Sequence, residues 1–96
     1  MSRAPSIVLA LREHNFHVAA RTLEAATDAH AEILALRLAL ATIDGATHML
    51  RIHARALRNT GAAHERGRLR SLEETIVARL GNLLLRVAHS VHQEVT

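Results

Sequence analysis

The chain has 96 residues, of which 49% are apolar, and it carries a formal net charge of +3. Phe16 is its one aromatic residue, while alanine and leucine are the most frequent types, with 18 and 15 copies. Both types lose little on entering a helix, whereas the residues that suit a β-sheet are scarce. The absence of cysteine excludes a disulfide framework, a thiolate metal site and a cysteine nucleophile. The composition therefore predicts a single all-α domain over residues 1–96.

The N-terminal residues lack the long apolar run of a targeting segment. Between Met1 and Arg12 the apolar run has only five residues, which is too short for the core of a signal peptide. The chain also contains no uninterrupted apolar run of the length, about 18 residues or more, that a membrane span needs. We therefore expect a soluble, cytoplasmic protein that does not associate with membranes.

The first predicted helix covers about residues 5–26, because Pro5 suits the first turn of a helix and apolar residues follow at helical spacing. Asn15 marks a point at which this helix can break. Thr27 and Asp28 are good N-cap types and Glu32 follows them closely, so the next helix is expected to begin there. The first helix has two apolar stripes, formed by Ile7, Leu11, Val18 and Ala25 and by Phe16, Ala19, Leu23 and Ala26.

The central predicted helix covers about residues 28–58 and contains the longest regular pattern in the chain. Asp44-Gly45 is a turn signal inside it, so the segment is either one continuous helix or two antiparallel helices. One helix is favoured, because the pattern stays in phase across Gly45 and a glycine inside a helix costs only about 1 kcal/mol relative to alanine. The pattern is the alternating spacing of three and four by which helices pack together: Ile33, Leu36, Leu40, Ile43, Thr47, Leu50, Ala54 and Leu57.

A narrow charged strip lies on the same helix and consists of Arg37, Asp44, His48, Arg51 and Arg55. At about 100° per residue these five side chains fall within roughly 60° of arc. The strip is interpreted as an intrahelical network of Asp44 with His48 and Arg51, which faces solvent or lies across a dimer. The alternative is that the strip lines a small anion pocket.

The last predicted helix covers residues 71–95. Ser71 and Glu74 have the spacing of a capping box, which predicts its start. Residues 59–70 are interpreted as a polar connection, since Asn59, Thr60 and Gly61 form a C-terminal stop signal and Gly67 lies further along. Leu85 points away from the apolar stripe of this helix and is either isolated or part of a second contact surface. The stripe itself consists of Leu72, Ile76, Val77, Leu80, Leu83, Leu84, Val87, Val91 and Val95.

These elements predict a small antiparallel bundle of three to four helices with a long central helix, completed by dimerisation. Leu34, Leu38, Met49 and Ile52 lie on the central helix away from its core positions, and a three-helix monomer leaves them uncovered. Exposed apolar patches of this kind usually mark an interface. The sequence therefore predicts a symmetric homodimer, and these four residues are the candidate partner-binding site.

The C-terminal half of the chain is basic. Residues 51–96 contain eight arginines and four acidic residues, whereas residues 1–50 contain four arginines and five acidic residues. No aromatic residue lies among the clustered arginines, so we expect contacts to phosphates rather than stacking on bases. The candidate residues for binding nucleic acid or another anion are Arg51, Arg55, Arg58, Arg66, Arg68 and Arg70.

Eight histidines raise the question of a metal site. The helix-compatible pairs are His14 with His17 and His89 with His92, and neither has a carboxylate at the offset of a helical metal-binding motif. They are interpreted as solvated side chains, with a site assembled across a dimer as the alternative. No metal or cofactor is predicted.

Two short segments resemble known families. The segment from His48 to Arg51 resembles the phosphoacceptor core of histidine phosphotransfer domains, but Ile52 stands where that family has a small residue. Residues 13–33 resemble the helix-turn-helix opening of LysR-type regulators. In that segment the stretch that would read DNA holds two acidic residues and no arginine or lysine.

The sequence shows no catalytic constellation: no paired carboxylates at metal spacing, no glycine-rich phosphate loop and no nucleophile beside a base. It therefore predicts a non-catalytic protein–protein interaction module, such as an adaptor, a chaperone-like protein or a regulatory inhibitor. A nucleic-acid-associated protein that binds phosphates through the Arg51–Arg70 region is the alternative.

Overall fold

The computed structural model describes residues 4–57 and 60–95, with side chains at residues 4–52, 61 and 63–91. Four helices make up nearly all of this part of the chain: α1 (Pro5–Glu13), α2 (His17–Glu24), α3 (Ala29–Leu57) and α4 (Thr60–Val95). These residues include no β-strand. The predicted all-α class is confirmed.

A Schellman turn separates α1 from α2, so the predicted helix over residues 5–26 is in fact two helices. Asn15 has a φ of 64°, in the left-handed region that asparagine tolerates better than most residues. The Phe16 N–H donates to the Leu11 carbonyl at 2.8 Å, and the Asn15 N–H donates to the Arg12 carbonyl at 2.9 Å. These bonds satisfy carbonyls at the end of α1. Because the turn breaks the helical phase, Val18 of the predicted stripe is largely exposed.

The start and the continuity of α3 agree with the prediction. The Asp28 Oδ1 atom accepts a hydrogen bond from the Ala31 N–H at 2.8 Å, which is the bond of an N-cap. The helix then passes through Asp44 and Gly45 without a break and continues to Leu57. The single continuous helix is confirmed, and the alternative of two antiparallel helices is wrong.

The predicted start of α4 is wrong. The helix begins at Thr60 rather than at Ser71, so residues 60–70 form its first turns instead of a polar connection. Ser71 does not cap the helix, because it lies inside α4, where its carbonyl accepts a hydrogen bond from the Thr75 hydroxyl at 3.0 Å.

Tertiary contacts explain why residues 60–70 are helical despite their glycines. Leu69 is buried in the core, and Glu65 Oε1 lies 2.6 Å from His14 Nδ1 in the turn after α1. Both contacts require the helical phase that residues 65–69 have. They offset the roughly 1 kcal/mol that each glycine costs inside a helix.

The two long helices run in opposite directions beside each other. Thr47 and Arg51 of α3 face Arg66 and Arg70 of α4 near the connection between the helices, whereas His30 lies near Ser90 at the other end. The shorter helices pack on this pair, α1 against α2 and α4, and α2 against α3. The molecule is elongated, with extents of 58 × 23 × 16 Å.

The core lies where α1 and α2 meet α3 and the part of α4 between Leu69 and Leu83. It includes the predicted α3 positions Ile33, Leu36 and Ile43, with Leu40 and Leu50 partly buried. The predicted positions Ala54 and Leu57 lie outside the described side chains. The buried apolar residues are Ile7, Val8, Leu11, Ala19, Ala20, Leu23, Ile33, Ala35, Leu36, Ala39, Ile43, Leu69, Leu72, Ile76 and Leu83.

The predicted apolar stripe of α4 is too wide. Leu72 and Leu83 are buried, but Val77, Leu84 and Val91 are exposed by 51%, 42% and 54%. The cleft between α1 and α4 is lined by α4 residues 68–75, so α1 does not cover the second half of the helix. There α3 is the main neighbour, and one neighbouring helix covers only a narrow stripe. Val95 lies outside the described side chains.

A buried ion pair joins α3 to α4. The carboxylate of Glu32 is fully buried and accepts two hydrogen bonds from Arg79, from Nε at 3.0 Å and from Nη2 at 3.1 Å. The sequence reasoning placed Glu32 only near the start of α3. Its phase, four residues before Leu36 and eleven before Ile43, already indicated a core position.

Candidate interaction surfaces

The four predicted partner-binding residues lie together on the exposed side of α3. Leu34, Leu38, Met49 and Ile52 are exposed by 66%, 38%, 51% and 48%, respectively. With the exposed small residues Ala41 and Gly45 between them, they form what we call the outer α3 stripe. It lies on the opposite side of the helix from the buried residues Glu32, Leu36 and Ile43.

The charged strip borders the outer α3 stripe on one side. Arg37, Asp44, His48 and Arg51 are all exposed, and no ion pair joins Asp44 to His48 or Arg51 among the described side chains. The predicted network around Asp44 is therefore wrong. Arg55 lies outside the described side chains.

The second half of α4 carries another exposed apolar face, which the sequence reasoning assigned to the core. Val77, Gly81, Leu84, Ala88 and Val91 follow one another at spacings of four, three, four and three, and all are exposed. We call this set the α4 seam. The spacing is the one by which a helix packs along a second helix.

Leu85, which is 71% exposed, lies beside the α4 seam. It therefore belongs to a wider apolar surface on α4 rather than standing alone. The spacing of the seam is visible in the sequence, but its exposure is not, because the same residues also fit one broad buried stripe.

The clustered arginines are split between two sides of α4. Arg51, Arg66 and Arg70 line one cleft of about 600 Å³ between α3 and α4, together with Thr47, Ala63, Gly67 and Glu73. Arg68 instead lines the cleft between α1 and α4, where it lies 3.4 Å from Glu65. Arg58 lies outside the described residues and Arg55 outside the described side chains. The structure therefore brings three of the six predicted anion-binding residues together.

The histidine at the end of α1 has a structural environment. His14 is largely buried, contacts Glu65 and stacks on Phe16 with ring centroids 5.8 Å apart. His17 and His89 are exposed, and the side chain of His92 is not among those described. Within the described residues, no three histidine or acidic side chains are grouped closely enough to hold a metal ion.

Comparisons with known proteins do not place the chain in a family. No protein-family model matches it, and neither a curated protein nor a solved structure does so. By length and composition the part of α3 from Ala29 to Ile52 would reach across a membrane, a test that the core helix of a soluble protein also passes. Function is therefore argued from the surfaces described above.

Proposed function

We propose that this chain is a non-catalytic helical protein-interaction module that dimerises through the α4 seam and binds a partner helix on the outer α3 stripe. One observation carries the proposal: both long helices expose regularly spaced apolar side chains on faces that the fold leaves uncovered. Apolar surface of this extent usually marks an interface. An adaptor, a chaperone-like protein and a regulatory inhibitor all fit this description.

The α4 seam suits a second copy of the chain because it is nearly symmetric about its centre. Along the helix it reads Val77, Gly81, Leu84, Ala88 and Val91, alternating large and small residues. When two copies pair antiparallel about Leu84, valine meets valine, glycine meets alanine and leucine meets leucine. A self-complementary surface of this kind is what a two-fold dimer requires.

The outer α3 stripe suits an amphipathic helix from another protein. Large side chains at Leu34 and Ile52 flank the small residues Ala41 and Gly45, which leave room for a partner's backbone to approach. Arg37 and Arg51 are exposed on the bordering charged strip. We therefore expect the partner helix to carry acidic residues beside its apolar face.

Disulfide trapping tests the dimer directly, because the chain contains no cysteine of its own. In an antiparallel dimer centred on Leu84, the variant Leu84→Cys places two thiols near the two-fold axis, and mild oxidation should give a covalent dimer. Leu9→Cys, at an exposed leucine on α1, is the matched control and should form no covalent dimer under the same oxidation. Equal cross-linking of both variants would contradict the α4 dimer.

Selection from a library of displayed amphipathic helical peptides tests the partner surface. Peptides that bind the protein should lose binding to Ala41→Arg, which places a long charged side chain in the middle of the outer α3 stripe. Leu9→Arg is the control and should bind as the unmodified protein does. If Ala41→Arg instead abolishes binding to neutral phosphatidylcholine vesicles and leaves peptide binding intact, the stripe serves a membrane and the proposal fails.

The alternative function is nucleic-acid association through the Arg51–Arg70 region. It predicts an affinity that falls steeply with salt and is lost when Arg66, Arg68 and Arg70 are neutralised together. Because the chain has no tryptophan or tyrosine, nucleic acid that copurifies at low salt would dominate the near-ultraviolet spectrum. A nucleic-acid band that a high-salt wash removes would favour this alternative, and an empty spectrum would favour the protein-interaction module.

A further inference from the structure

We propose that the cleft between the connected ends of α3 and α4 binds the phosphate groups of a small polyanion such as an inorganic polyphosphate or a nucleotide. The proposal rests mainly on Arg66 and Arg70, which the protein-interaction surfaces do not use, and on Arg51, which also borders the outer α3 stripe. Three arginines line this cleft, Arg51 from α3 and Arg66 and Arg70 from α4. Its volume of about 600 Å³ lies within the usual range for small-molecule sites.

The spacing of the lining residues places the binding groups on facing sides. Thr47 and Arg51 are four residues apart on α3, and Arg66 and Arg70 are four residues apart on α4. Each pair therefore lies on one face of its helix, and the two faces meet across the cleft. Two like charges at this spacing destabilise an isolated helix, and a bound anion would remove that repulsion.

The central observation is that the Arg66 side chain lacks a hydrogen-bond partner at a buried atom. Its Nε atom is buried and has no hydrogen-bond partner, although a buried N–H group normally has one. No carboxylate pairs with Arg51 or Arg66 among the described side chains, in contrast to Arg79, which makes two hydrogen bonds to Glu32. Arg66 thus lines the cleft without a carboxylate partner, and an anion bound there would supply the missing acceptor.

The lining indicates which kind of anion fits. The arginine fork matches two phosphate oxygens at once, and the Thr47 hydroxyl is a further donor. Glu73 is the one acidic residue of the lining, so the three arginines leave a local excess of positive charge. Arg70 is highly exposed and 3.8 Å from Glu74, which places it at the outer rim.

The cleft has no ring on which a base can stack. Phe16, the one aromatic residue of the chain, stacks on His14 between α1 and α2 and does not line this cleft. We therefore expect the site to recognise phosphate groups and not the base of a nucleotide. Inorganic triphosphate and ATP should bind with affinities within about threefold of each other.

Titration calorimetry with inorganic triphosphate at low, constant ionic strength tests the site. Arg51→Gln and Arg66→Gln should each lower the affinity by about tenfold or more, because each removes charge-assisted hydrogen bonds. Glu73→Gln should raise the affinity, since it removes the one acidic side chain of the lining. Arg68→Gln is the matched control, two residues from Arg66 but on the other side of α4, and should change the affinity by less than about twofold.

Three results would overturn the proposal. The first is no measurable binding of triphosphate, and the second is an equal loss in Arg68→Gln and Arg66→Gln, which would indicate a diffuse charge effect. The third is ATP binding more than about tenfold tighter than triphosphate, which would require recognition of the base. Circular dichroism of each variant checks folding, and Arg51→Gln alters an exposed side chain, so at least one variant tests the site without disturbing the core.

Discussion

Asn15 shows how one residue sets the direction of the chain between α1 and α2. Its left-handed backbone, with a φ of 64°, costs roughly 1–2 kcal/mol for most residues with a side chain and almost nothing for glycine. We expect Asn15→Gly to preserve the free energy of unfolding and Asn15→Val to lower it by about 1–2 kcal/mol. Urea denaturation followed by circular dichroism measures both, and equal effects of the two substitutions would contradict the argument.

The ion pair between Glu32 and Arg79 gives a second prediction at the scale of single residues. Removing one partner of a buried pair typically costs about 3–5 kcal/mol, because the other charge remains buried and uncompensated. Glu32 is fully buried, whereas the Arg79 side chain keeps 31% exposure, so Arg79→Ala should destabilise the protein more than Glu32→Ala. The double variant Glu32→Leu/Arg79→Met should have a free energy of unfolding close to that of the unmodified protein. If the losses of Glu32→Ala and Arg79→Ala instead add up in the variant that combines these two substitutions, the two side chains do not act as a pair.

At the scale of helices, substitutions at Gly67 test whether residues 60–70 form the first turns of α4 or a loop. A Cβ atom added at Gly67 would meet no other atom within 4 Å. Gly67→Ala should therefore raise the free energy of unfolding by about 1 kcal/mol, and Gly67→Pro should lower it by about 3 kcal/mol or more. If residues 60–70 formed a polar connection instead, the alanine would bring no such gain and the proline would be tolerated.

The helices are largely predictable from the sequence, and each wrong boundary has a specific physical cause. The Asp28 cap and the continuity of α3 across Gly45 follow from side-chain chemistry and phase, which a sequence displays directly. The start of α4 cannot be read from the sequence in this way, because Gly61 and Gly67 indicate a loop. Only the tertiary structure shows that Leu69 is buried and that Glu65 contacts His14. Tertiary packing decided this boundary against local preference.

The candidate sites were predictable to the extent that helical phase alone defines them. The outer α3 stripe was found because its residues lie opposite the core seam. The arginine cleft was hidden by the error at the start of α4. On a helix, Arg66 and Arg70 share a face and Arg68 does not, but in a loop the three arginines form one undivided cluster.

At the scale of the whole molecule, the proposed dimerisation would make the stability of the fold depend on protein concentration. A ligand that binds only the folded state stabilises it, and in a dimer the second copy is that ligand. The melting temperature should therefore rise with protein concentration, and Leu84→Glu should remove this dependence while Leu9→Glu keeps it. A melting temperature that stays constant over a hundredfold or so range of concentration would contradict the dimer.

A substitution at Gly81 distinguishes most sharply between an α4 seam that forms a dimer interface and one that is exposed to solvent. A Cβ atom at Gly81 would meet nothing within 4 Å in the single chain, so Gly81→Met should stabilise α4 in the monomer by improving helix propensity. In the proposed antiparallel dimer the same position would face Ala88 of the second copy, where a long side chain would push the two helices apart. At low concentration, Gly81→Met should therefore have a higher melting temperature than the unmodified protein. In sedimentation experiments, its dimer should dissociate more readily. A stabilisation of equal size at every concentration would show that the α4 seam remains open to solvent.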